Sequence, residues 1–148
     1  MAREAFIELN CCRYSERLTD VIMLFKEIGW NYFDLERSVE YLPIGDNDDF
    51  DWQKEHLSEL EILNVINHKQ DKLEQVGINL YLQNSEVGVT LLAKETKKII
   101  IDLCINRQTL DSTRESITDI GWYFANMIQK LQKRGCPIDY IKFEDYVD

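Results

Sequence analysis

"INLYLQNSEVGVTLLAKETKKIIIDLCI", residues 78–105, decides the fold. From Ile78 the pattern takes a period of two, in three runs rich in apolar and β-branched residues, 78–84, 87–93 and 99–105. That period of two is the one at which a strand sends successive side chains to opposite faces. The connectors, Ser85–Glu86 and the five residues 94–98, are too short for a crossover. The three strands therefore form an antiparallel meander. The last run is nearly all apolar, which predicts a central strand covered on both faces.

Upstream of the meander, "AFIELNC" (5–11) alternates and reads as a first strand. Ser15 is a suitable N-cap, and Leu18, Val21, Ile22, Phe25 and Ile28 then recur at helical spacing until Gly29, predicting a helix over 16–28. The aromatic and β-branched stretch 30–44 predicts a strand pair or one bent strand, ended by Pro43. "WQKEHLSELEILNVINHKQDKLEQV" (52–76) carries Leu57, Leu60, Leu63 and Ile66 as one stripe and predicts a long helix ending before Gly77.

Downstream, Ser112 or Thr113 is expected to cap a last helix with the stripe Ile117, Ile120, Phe124, Met127, Ile128 and Leu131. Trp122 lies off that stripe, on a flank. Residues 137–148 alternate weakly and suit an edge strand. The expected architecture is α+β in a single domain, 1–148. An antiparallel sheet, built from the three-strand meander plus N-terminal and edge strands, packs against three helices.

The 148 residues hold 17 Lys plus Arg against 27 Asp plus Glu, a net charge of −10. That balance opposes nucleic acid and anionic membrane surfaces, whose binding needs cations, and favours a basic protein partner. No stretch approaches the roughly 20 apolar residues of a membrane span, and "MAREAFIELNCC" has no apolar run of signal-peptide length. The expectation is a cytoplasmic protein with its four cysteines (Cys11, Cys12, Cys104, Cys136) reduced and packed as small hydrophobes. Their spacing, with only His56 and His68 beside them, does not suit a zinc site.

The stretch "GDNDDFDW" (45–52) crowds four aspartates around two aromatics. A calcium loop beginning at Asp46 would put Phe50, Asp51 and Leu57 where a ligand, a glycine and a closing glutamate belong, so the calcium reading fails. Asp49 or Asp51 can cap the helix expected from Trp52. Four aspartates exceed what capping needs. The candidate partner-binding residues are therefore Asp46, Asp48, Asp49, Phe50, Asp51, Trp52 and Glu55: aromatics supply buried area, and carboxylates steer and pair with Lys or Arg. The competing reading is a solvated capping loop. No phosphate loop, nucleophile elbow, zinc-protease motif or dinucleotide fingerprint occurs, so no catalytic residue, metal or cofactor is expected.

A small, acidic α+β chain carrying such a cluster and no catalytic motif resembles the immunity proteins of bacterial toxin systems, those of contact-dependent and other polymorphic toxins. The resemblance implies a non-enzymatic protein that binds a cognate toxin domain, often a basic nuclease, and blocks its active site. The same acidic face also suits a nucleic-acid mimic or a regulatory adaptor. An enzyme built on an unmarked pair of carboxylates is a third reading.

Overall fold

The computed structural model describes residues 3–148. Eight strands and three helices alternate along the chain. They are β1 (Arg3–Asn10), α1 (Leu18–Glu27), β2 (Trp30–Asn31), β3 (Val39–Tyr41), β4 (Gln53–Glu55), α2 (Glu59–Asp71), β5 (Val76–Leu82), β6 (Gly88–Glu95), β7 (Lys98–Ile105) and β8 (Tyr140–Val147). The third helix, α3, precedes β8. It is α-helical over Ile120–Tyr123, widens to a π-helical turn over Phe124–Ile128 and is α-helical again over Gln129–Lys133.

The strands make one antiparallel sheet in the order β4-β3-β5-β6-β7-β1-β8, with β2 pairing one end of β5. The meander stands as the period-two pattern predicts, Ile78 opposite Leu91 and Leu91 opposite Ile101. β1 closes against β7, Ile7 opposite Ile101, and β8 lies outside it. One face of the sheet is dry: Ile7, Leu9, Ile78, Leu80, Val89, Leu91, Ile99, Ile101 and Leu103 are fully buried together with Val21, Ile22 and Phe25 of α1, Ile62 and Ile66 of α2, and Met127 and Leu131 of α3.

β7 is central, but it is helix-covered on one face only. Ile100 and Asp102, on its other face, are half-buried, and Cys104 is exposed. Consecutive isoleucines in β7 fill the dry face and also shield the open one. The cysteines divide in the same way: Cys11 and Cys136 are buried, Cys12 is half-buried and Cys104 is exposed, all as free thiols. Mutual contact with Cys136, then burial, pushes the Cys11 thiol up.

Three boundaries differ from the sequence expectation. The helix expected over 52–76 begins seven residues later, because Ser58 and Glu61 form a reciprocal capping box and residues 53–55 pair with β3 instead. Its buried stripe is Ile62, Ile66 and Lys69, while Leu60 and Leu73 face solvent. The last helix starts at Ile120, capped by Asp119, and not at Ser112 or Thr113. The guanidinium of Arg107 takes over 112–118, donating to the carbonyls of Arg114 and Ser116 and to the Thr118 hydroxyl. Ser15 lies outside α1; its hydroxyl accepts the Arg17 N–H, and the first-turn amide of Leu18 donates to Gln70 of α2.

Candidate functional site

Between β3 and β4 the chain must reverse within eleven residues, and it does so through the acidic stretch. Reversal points several backbone N–H groups inward, and buried N–H groups need acceptors. Asp46 supplies them: its side chain is short enough to reach the amides that follow it. Its carboxylate accepts from Asp49 at 3.0 Å, Phe50 at 3.1 Å and Asp51 at 2.7 Å. Burial works against its charge, but these three donors and nearby Lys69 outweigh it and hold the Asp46 carboxyl below the usual carboxylate range.

Lys69 fastens the loop from below. It is 1% exposed, and its ammonium donates to the carbonyls of Pro43 at 2.7 Å and Asp46 at 2.6 Å. Glu74 lies 3.5 Å away and also accepts the Gly45 N–H at 2.7 Å. Burial lowers the Lys69 pKa, and Glu74 and Asp46 oppose that shift. Asn47 accepts the Gln75 N–H, tying the tip of the loop to the α2–β5 connection.

This scaffold corrects two readings of the stretch. Neither Asp49 nor Asp51 caps a helix; the cap belongs to Ser58. Asp46 is not a surface residue: it is 5% exposed, and both its carboxylate oxygens already accept backbone amides. The remaining candidates divide. Asp48, Asp49, Phe50, Asp51 and Glu55 are exposed, and Trp52 is half-buried. The Trp52 ring lies across the sheet at Gly77, where an added Cβ would come within 2.9 Å of its Cη2 and 2.7 Å of Leu42 Cδ1. Gly77 is thus the opening that lets Trp52 and Leu42 cover the sheet.

Phe50 is the most unusual member. Its φ is +53°, a left-handed conformation costly for a bulky side chain. The bonds from its own amide and both neighbouring amides to Asp46 keep it there. Its ring is 49% exposed, and Ile44, on the same loop, is 50% exposed. Asp48, Asp49 and Asp51 form no ion pair among the described residues. The arrangement is a fixed apolar tip flanked by free carboxylates, suited to a surface presenting Lys or Arg around an apolar spot.

Sequence reading missed Lys69 and Ile44. The signal for Lys69 was present: it follows Ile62 and Ile66 at helical spacing, on the face that packs inward.

Several carboxylates elsewhere join elements. Glu59 receives the Lys26 ammonium at 2.7 Å and the hydroxyl of buried Tyr32, joining α1, the residue after β2, and α2. Those bonds lower the Glu59 pKa, and burial followed by Glu59 raises that of Tyr32. Trp122 meets Trp30 edge to face at 6.3 Å, and the Trp30 indole donates to the Asn126 carbonyl in the π-turn. Trp122 is thereby half-buried on the flank that its spacing indicates. Among the described residues no three His, Cys, Asp or Glu side chains gather into a metal-holding group, and no helix is long and apolar enough to cross a membrane.

Compared with protein-family models, curated proteins and solved structures, the chain matches none.

Proposed function

We propose that this protein is a non-enzymatic cytoplasmic binding protein of the immunity type, which neutralises a basic cognate toxin domain through the surface around Asp48, Asp49, Phe50 and Asp51. One observation carries the reading. Buried Asp46 and Lys69 hold a half-exposed phenylalanine in a left-handed conformation with unpaired carboxylates beside it. Leu73 is also exposed at positive φ; Phe50 differs in that three amide bonds to one buried carboxylate fix its loop and free carboxylates flank it. A prearranged tip loses little conformational freedom on binding, and its charges speed encounter with a basic surface. The net charge of −10 acts in the same direction at longer range.

The test uses immobilised wild-type protein and the variant D48N/D49N/D51N/F50A, each exposed to extract of the source organism. Wild type should retain a basic protein that the variant loses. With that protein purified, the triple asparagine change should slow association on the order of tenfold at low salt, and less at physiological salt, where the screening length is about 8 Å. F50A alone should act mainly on dissociation. A partner that binds the fourfold variant as tightly as wild type would place the interface elsewhere. Turnover by the isolated protein, abolished by changing one carboxylate, would replace this reading with an enzyme.

A further inference from the structure

The two edges of the sheet are built differently. β4 is three residues long, short enough to blunt its edge. β8 is eight residues long and pairs with β1 in unbroken register from Arg3 opposite Val147 to Asn10 opposite Tyr140. It has no proline and no bulge, and among the described residues no strand lies beside its outer row of backbone groups. Tyr140, Ile141, Tyr146 and Val147 are all exposed. Such an edge is a template for another strand unless its charges forbid it.

Those charges forbid most pairings and permit one. In β8, Tyr140, Lys142, Glu144 and Tyr146 share the open face, while Ile141, Phe143, Asp145 and Val147 share the helix-covered face with Ile7 and Leu9. Two copies joined edge to edge by a two-fold axis normal to the sheet keep these faces aligned, so the axis passes through a residue pair. Centring on Lys142, Glu144 or Asp145 sets like charges directly opposite. Centring on Ile141 overlaps only the start of the strand. Centring on Phe143 opposes Lys142 to Glu144 twice, Tyr140 to Tyr146 twice and Ile141 to Asp145 twice, with no like-charge pair. Lys142 and Glu144 already meet at 2.8 Å within one chain and are placed to exchange partners across the axis.

We propose that β8 is a homodimerisation edge, pairing antiparallel with β8 of a second copy about Phe143 to make one continuous sheet. The dimer leaves the Phe50 loop free, since that loop adjoins β3 and β4 at the opposite edge. The proposal is therefore independent of what the loop binds.

Sedimentation velocity of the full chain over a range of concentrations, in roughly 0.15 M salt, tests it. Wild type should convert from monomer to dimer as concentration rises. K142E replaces two attractive pairs with two Glu–Glu pairs and should weaken dimerisation on the order of tenfold or more. E144K should do the same, with Lys–Lys pairs. The double exchange K142E/E144K should restore the dimer. Thermal melting of all four proteins checks that each is folded, and the two single variants guard against failure of either one. A wild type that stays monomeric at every concentration overturns the proposal, as does a K142E or E144K protein that dimerises like wild type. A folded double variant that fails to regain the dimer overturns the Phe143 register.

Discussion

Two charges decide the acidic loop, and neither faces solvent. Asp46 collects three amide donors, and Lys69 spans the carbonyls of Pro43 and Asp46. Buried acceptors that lose their donor are costly, because no water replaces it. Lys69→Met keeps the length and apolar stem of the side chain but removes the ammonium. It should destabilise the protein on the order of 2 kcal/mol, read by urea denaturation. Asp48→Asn touches no bond of the scaffold and should leave the urea midpoint unchanged. An equal effect of the two substitutions would contradict the division of the loop into buried fastener and exposed surface.

Elements begin where a cap and a neighbouring strand agree. α2 starts at Glu59 because Ser58 accepts the Glu61 N–H and the Glu61 side chain accepts the Ser58 N–H. Residues 53–55, although rich in helix formers, pair with β3 instead. Ser58→Ala should therefore cost about 1 kcal/mol in thermal or urea unfolding. Asp49→Ala and Asp51→Ala, at positions that the sequence alone offers as caps, should leave the melting temperature unchanged. In α3 the π-turn has a tertiary partner, since the Asn126 carbonyl within it receives the buried Trp30 indole. Single-turn π-bulges arise where a helix must meet such an outside demand.

For the whole molecule, three depressed carboxylates lose their stabilising contribution in acid. Asp145 is held below the usual range: burial opposes its charge, but the Thr118 N–H and Arg3 outweigh burial. Glu59 is lowered by Lys26 and Tyr32, and Asp46 by its amide donors against burial. A carboxyl depressed in the folded state takes up protons more readily when unfolded, where its pKa is about 4. Its stabilising contribution is complete above that value and is lost as pH falls through the folded value. The melting temperature should therefore hold steady with respect to these groups from about pH 7 to pH 5, then decline below about pH 4. Asp145→Asn should melt lower than wild type near neutrality and show a shallower acid decline. A wild-type curve that rises below pH 4 would contradict this assignment.

The period-two pattern of 78–105 was sufficient to establish the meander, because a half-buried strand must alternate whatever surrounds it. Val21, Ile22 and Phe25 marked α1 for the same kind of reason, and Gly29, at φ +107°, closed it as its freedom from Cβ clashes allows. The strand order around that meander was not legible, nor was the shift of 53–55 from helix to edge strand. Both depend on contacts between residues far apart in sequence. The acidic stretch shows the limit most clearly. Sequence alone identified 45–52 as the place where charge and aromatics concentrate, because composition is local. The inward turn of Asp46 rests on the amides of Asp49, Phe50 and Asp51, but the seat of the loop rests on Lys69, more than twenty residues away, whose ammonium binds the carbonyls of Pro43 and Asp46.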